Sequence, residues 1–246
     1  MIGRAARPLW AAFGLAAALV ACGEPRPATR EADAATAPSP WGAASELEPA
    51  EIAEYRGEAL TPRASLRDNS IAGPQYADYE SYRLELTGLV GRPLSLSYRE
   101  ALALPAYEKL ITLHCVEGWS AAMLWTGTTL AGLLELAQAD PRADTLLFIC
   151  LDGYETTMEI AKAKERSILL AWATNGLPLS PELGAPFQIA AEEKWGYKWA
   201  KWVKEIRVMR EPGYRGYWER RGYSVSGELG ERSSDPESLS APAEFR

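Results

Sequence analysis

The residues most able to do chemistry lie in the segment Leu113-His114-Cys115-Val116-Glu117-Gly118-Trp119-Ser120, which continues to Trp125. His114 is the only histidine in the chain. That excludes zinc sites built on two or three imidazoles and any HExxH protease, and leaves one imidazole for a nucleophilic triad. The apolar run Leu110 to Cys115 reads as a strand, and neighbouring strand residues point to opposite faces. His114 and Cys115 therefore cannot address one site together, which argues against a Cys–His nucleophilic pair. Cys115 ends that strand just before a Glu117-Gly118-Trp119 turn, where a side chain can meet a ligand at the rim of a sheet. Three readings of it stay open from composition: a ligand-binding thiol, a buried structural thiol, or a disulfide with Cys150 in an oxidising compartment. Glu117 reads either as a working carboxylate or as a solvated turn acid.

The elements that must position this segment alternate strands with short helices, without the regular βαβ spacing of a doubly wound sheet. Tyr82, Leu84 and Leu86 alternate with Arg83 and Glu85, a half-buried strand pattern. Ser97 and Glu100 have capping-box spacing before a short helix. Thr129 can cap a helix whose Leu130, Leu133, Leu134 and Ala137 share one face. Leu146 to Leu151, Ile168 to Trp172, Phe187 to Ala190 and Val203 to Val208 are further strand candidates. Asp152-Gly153 and Asn175-Gly176 mark turns. The fold class this supports is α+β, with mixed sheets and short helices in a single domain.

That domain is expected over residues 60–225. Residues 1–21 read as an export signal: Arg4 and Arg7 precede an apolar run of roughly 20 Å, too short for a bilayer core of about 30 Å. The junction Leu19-Val20-Ala21-Cys22 resembles a bacterial lipobox, in which Cys22 takes the lipid. An ordinary secretory signal is the competing reading. Residues 22–59 are rich in Ala, Pro and Glu and are expected to form a flexible tether, and residues 226–246 a mobile tail. The net charge of −7 argues against a nucleic-acid partner. No polybasic patch near Cys22 is available to assist a lipid anchor.

The stretch from Thr112 to Leu134, with Cys-Val-Glu-Gly-Trp-Ser followed by Trp125-x-Gly127-x-x-Leu130-x-x-Leu133-Leu134, resembles the molybdopterin-binding domain of the sulfite oxidase family. Within that family it is most similar to the catalytic subunit of bacterial periplasmic protein-methionine-sulfoxide reductases. Arg67-Asp68-Asn69-Ser70, Asp152-Gly153-Tyr154, Leu169-Leu170-Ala171 and Gly196-Tyr197-Lys198-x-x-Lys201-Trp202 follow the family's order along the chain. The resemblance implies an exported oxidoreductase, which the lipobox reading anchors by lipid to a membrane, facing the periplasm or cell exterior. It would use a molybdenum–molybdopterin cofactor for two-electron oxygen-atom transfer on a small oxo substrate, such as a sulfoxide or sulfite, and exchange electrons with a membrane or periplasmic redox partner.

In this reading Cys115 is the protein's thiolate ligand to molybdenum and, with Glu117, forms the catalytic pair. The pterin would be held by Asn69, Cys150, Lys198 and Lys201, with Trp199 and Ala200 as backbone donors between the lysines. Three positions depart from the reductase pattern. Leu183 replaces an Asn, Gln188 replaces an Arg, and Cys150 stands where the family has Thr. The altered pocket leaves an alternative: a non-catalytic binding module on the same scaffold. The tryptophan cluster Trp195, Trp199, Trp202 and Trp218 reads either as core packing or as an electron-transfer or stacking surface.

Overall fold

The computed structural model describes residues 50–233. The export signal, the lipobox with Cys22, the tether before residue 50 and the tail after 233 lie outside the described residues. The elements alternate as their residue pattern requires. A small hairpin, β1 (Glu54–Tyr55) and β2 (Glu58–Ala59), precedes two five-stranded sheets.

One sheet has the order β4 (Leu94–Ser97), β3 (Arg83–Gly88), β12 (Val203–Met209), β7 (Thr145–Cys150), β8 (Glu155–Glu159). Its β12–β3 pair is parallel and the other pairs are antiparallel. The second has the order β10 (Leu177–Pro178), β9 (Leu169–Thr174), β6 (Ser120–Thr129), β5 (Tyr107–His114), with β11 (Gln188–Ala190) also paired to β9. The alternation in β3 does what a period of two dictates: Leu84 and Leu86 are buried while Arg83 and Glu85 face outward.

Short helices turn the chain between strands, and local hydrogen bonds decide where they begin. The capping box before α1 (Tyr98–Leu102) is closed in both directions. Glu100 N–H donates to Ser97 Oγ at 3.3 Å and Ser97 N–H donates to Glu100 Oε2 at 2.8 Å. Thr129 Oγ1 accepts the Gly132 N–H at 3.1 Å at the start of α2 (Leu130–Leu136), whose Leu130, Leu133 and Leu134 are buried. α3 (Ile160–Glu165) follows β8 and buries Ile160 and Ala163.

The folded unit extends beyond residues 60–225 at both ends, because polar side chains tie those ends down. Glu51 Oε1 accepts the Arg63 N–H at 2.7 Å and Asn175 Nδ2–H at 2.8 Å, and Ile52 N–H donates to Asn175 O at 2.9 Å. Residues 50–59, expected within the tether, are thus docked on the β9–β10 turn. At the other end Glu228 pairs with Lys194 and Arg166, both at 2.7 Å, which holds part of the expected tail. Among the described residues no helix is long and apolar enough to cross a membrane.

Candidate active site

β5 delivers Cys115 to the mouth of a cavity of about 400 Å³, within the usual range for small-molecule sites. The turn after the strand closes with Cys115 N–H donating to Trp119 O at 2.9 Å and Gly118 N–H to Cys115 O at 3.1 Å. Gly118 has φ of +87°, a conformation that suits glycine. The turn consumes the Cys115 backbone and leaves the thiol facing the cavity. His114 pairs with Ser120 across the hairpin and is absent from the cavity wall, so adjacent residues do part company.

Asn69 Nδ2–H donates to Cys115 Sγ at 3.5 Å. Burial pushes the thiol above its ordinary range, while the Glu117 backbone and the Arg67 guanidinium favour the thiolate. Glu117 is exposed at the mouth beside Val116. Aromatic rings form much of the wall, and two of them present unused donors. Trp119 and Trp125 line the cavity, and their indole N–H groups are buried with no hydrogen-bond partner. A buried donor without a partner costs on the order of 1–3 kcal/mol, so these two are suited to acceptors of a bound molecule.

Lys201 joins Arg67 as a cation of the cavity lining. Its ammonium donates to Glu182 O at 2.8 Å and stands 3.5 Å from Asp68 Oδ1. Burial holds it below the ordinary lysine range, with Asp68 acting in the opposite direction. Asp152 also lines the cavity, and its carboxyl is raised, chiefly by burial. Gln188 is 3% exposed and faces the same space.

Four of the residues expected around the pterin do not offer it the groups that reading needs. Lys198 is fully buried, and its ammonium donates to Glu219 Oε1 at 2.6 Å and Val225 O at 2.8 Å. It points into an internal clasp rather than the cavity. Cys150 shares the inward face of β7 with Phe148 and Leu146 and is core, not cavity wall. Cys115 and Cys150 are both free thiols, so the disulfide reading is overturned. Trp199 does line the cavity, its ring tilted against Trp125 at 5.4 Å, but its backbone N–H is taken by Gly196 O at 3.0 Å. Ala200 N–H is taken by Lys198 O at 3.2 Å, so neither supplies a free backbone donor.

Sequence reasoning missed Tyr223 and read Trp218 only within a tryptophan cluster, as core packing or an electron-transfer or stacking surface; both enter the cavity wall from the segment after β12. It also gave no role to Arg67, Trp119 and Asp152. The signal for Trp119 and Trp125 was present in the Cys115 motif, since a buried indole needs a partner for its N–H.

A sequence model of the oxidoreductase molybdopterin binding domain matches residues 71–218, which hold Cys115 and most of the cavity wall. The chain belongs to this family of molybdopterin-binding oxidoreductases. It is similar to an uncharacterized oxidoreductase of Bacillus subtilis, 33% identical over 156 residues that span 63% of this chain and 78% of that protein. A putative protein-methionine-sulfoxide reductase subunit of Azospira oryzae is 35% identical over 151 residues, 61% of this chain and 57% of its own length. The catalytic subunit of a protein-methionine-sulfoxide reductase from Gluconobacter oxydans is 32% identical over 146 residues, 52% of this chain and 47% of its own length. The chain thus spans about half the length of these reductase subunits.

The sulfane dehydrogenase SoxCD of Paracoccus pantotrophus shares the fold. Its TM-score is 0.55 at 21% identity, covering 61% of this chain and 42% of that one. The family's cofactor is molybdenum held by molybdopterin, and the donor set of the cavity suits it. The lining holds a soft thiol for the metal, two tryptophans with unpaired indole donors, and Lys201 and Arg67 as positive charge for an anionic group.

Proposed function

We propose that this molybdopterin oxidoreductase is exported, lipid-anchored through Cys22, and reduces neutral sulfoxides. The observation that carries the reading is the Cys115 thiol, held at a strand end and facing an aromatic-walled cavity. Cys115 would ligate the metal, Asn69 would orient the sulfur, Trp119 and Trp125 would donate to the pterin, and Lys201 would hold its anionic end. Bound there, the cofactor supplies two-electron oxygen-atom transfer.

The wall favours a neutral substrate over a compact dianion. Asp68, Glu117 and Asp152 face Arg67 and Lys201, so the lining carries no surplus of positive charge to hold sulfite. Trp218, Tyr223 and Trp119 offer the ring faces and edges that sulfur and methyl groups pack against. In the reaction the sulfur–oxygen bond breaks, two electrons arrive from an external reduced electron carrier, and the oxygen leaves as water with two protons. Glu117, exposed at the mouth, is the carboxylate placed to pass a proton inward.

The test is Cys115→Ser in protein made by a molybdenum-competent host. A hydroxyl is close in size but a poor ligand for a soft metal. The variant should keep its thermal transition, lose most of its molybdenum, and fail to reduce methyl p-tolyl sulfoxide. Full metal content and turnover in the variant would remove Cys115 from the site. Sulfite oxidation by the unmutated enzyme faster than sulfoxide reduction would overturn the substrate class.

A further inference from the structure

The segment after β12 is chemically unlike the rest of the chain. The whole protein carries 26 basic and 33 acidic side chains, yet residues 207–221 contain five arginines against two glutamates. One of those, Glu219, is fully buried on Lys198 and offers nothing to solvent. The arginines are exposed, and among the described residues Arg207 pairs with Glu205 at 2.9 Å and Arg220 with Glu155 at 2.6 Å, both carboxylates of the sheet beneath. Arg221 has no carboxylate partner among the described residues. Its guanidinium lies 3.6 Å over the ring of Tyr217 and donates to Tyr217 O at 2.7 Å.

This basic strip is fastened to the mouth of the cavity. Trp218 and Tyr223 line the cavity, and Arg220 and Arg221 lie between them in sequence. The two rings stand 5.3 Å apart, and Tyr217, which carries Arg221, is 5.3 Å from Trp218. Buried clasps hold the strip's end and the residues after it: Lys198 to Glu219 and Val225 O, and Lys194 to Glu228 and Ser226 O. Gly216 lets the strip press on β8, where a Cβ would stand 2.3 Å from Glu155 O. The arginines are therefore presented from a rigid base, and arginine over an aromatic ring is a composition enriched at protein recognition hot spots.

We propose that residues 207–221 form a recognition surface for acidic polypeptide segments, placing a side-chain sulfoxide of such a segment at the cavity mouth. The proposal rests on the sulfoxide reading above and names the substrate as polypeptide of acidic local sequence. Charge complementarity identifies the occupant: in a chain of net negative charge, the exposed Arg220 and Arg221 lie between the cavity-wall residues Trp218 and Tyr223, and their positive charge draws acidic segments toward the site and repels basic ones. Glu117 stands at the mouth as well and bears against an acidic residue immediately beside the sulfoxide. The favoured acids are those a few residues away, over the strip.

The experiment uses the cofactor-loaded enzyme and three synthetic peptides, each with one central methionine sulfoxide flanked at a distance of three residues by Glu, Ser or Lys pairs. At about 0.01 M salt, where screening reaches only beyond ~30 Å, kcat/KM should fall in the order Glu, Ser, Lys with roughly tenfold between the ends. At about 0.15 M salt, with a screening length of ~8 Å, the spread should narrow. Arg221→Glu should bring the Glu-to-Lys ratio to about one or below, and Arg210→Glu, at an exposed position farther along the strip, should reduce it in part.

Fluorescence anisotropy of dye-labelled peptides reads the same ranking as binding, without turnover. Equal kcat/KM and equal binding for the three peptides would overturn the proposal. So would an undiminished ratio in Arg221→Glu protein that retains its thermal transition. Reduction of methyl p-tolyl sulfoxide but of no peptide would also overturn it while sparing the sulfoxide reading. Ranked binding with no sulfoxide reduced at all would uphold the surface and overturn the reaction. Binding to phosphatidylglycerol vesicles by unlipidated Cys22→Ser protein, with no ranking among peptides, would assign the strip to a membrane and overturn the proposal.

Discussion

Removing the Lys198 ammonium distinguishes a structural clasp from a cofactor ligand. Lys198 and Glu219 are both fully buried with their charges 2.6 Å apart, and Thr156 Oγ1–H donates to the same Glu219 oxygen at 2.6 Å. Lys198→Ala leaves the Glu219 carboxylate, whose Oε2 has no partner even now, without its counter-charge in the interior. Breaking one side of such a pair costs about 3–5 kcal/mol. For a domain of this size each kcal/mol is worth about 2–4 °C, so the apoprotein should melt roughly 6–20 °C lower. The double variant Lys198→Met, Glu219→Leu replaces both charges with apolar groups and should recover more than half of the loss, since such replacements are often neutral. Differential scanning calorimetry of apoprotein, with urea unfolding as a second probe, measures both. A side chain that held only a phosphate would give an apoprotein within about 0.5 kcal/mol of the parent. A shift below about 2 °C for Lys198→Ala, or additive losses in the double variant, would refute the clasp and return Lys198 to the cavity.

Lys201→Ala should lower molybdenum content in purified protein, whereas Asp68→Asn should leave it equal or higher, because the lysine is then relieved of its carboxylate neighbour; Lys162→Ala, on an exposed helix, is the control. Acid should release the end of the described chain. The Glu228 carboxyl is lowered from its ordinary 4.5 against the cost of burial by Arg166 and Lys194, so its contribution is complete above that value and lost as pH falls through the lower folded value. Tryptophan fluorescence should register that release in acid, and Glu228→Gln should remove the step. Mass spectrometry of membrane-extracted protein should find Cys22 as the lipid-modified N-terminus, and an unmodified N-terminus elsewhere would end the anchor proposal.

The parts of this protein that its sequence determines are those governed by short-range periodicities. Leu84 and Leu86 announce β3 because side chains alternate across a strand, and Ser97 with Glu100 and Thr129 announce helix starts because their partners lie three residues away. Cys115 was legible as a strand-end thiol for a similar reason: the strand before it and the glycine turn after it decide locally that it meets the cavity while His114 does not, and its chemical role came only from the family resemblance.

What only the tertiary structure decided are the fates of groups whose partners are distant in sequence. Lys198 and Lys201 belong to one motif, yet one is sealed on Glu219, 21 residues on, and the other reaches the cavity beside Asp68, 133 residues back. Nothing within a few residues of either lysine distinguishes them. Cys150 looked like a cavity residue by position and is core because β7 turns that face inward. Trp218 and Tyr223 become cavity wall only because Lys194 and Lys198 draw the segment after β12 back across the domain. A buried charge must find its opposite wherever the chain's path brings one, and that path is set by the packing of two sheets rather than by any local pattern.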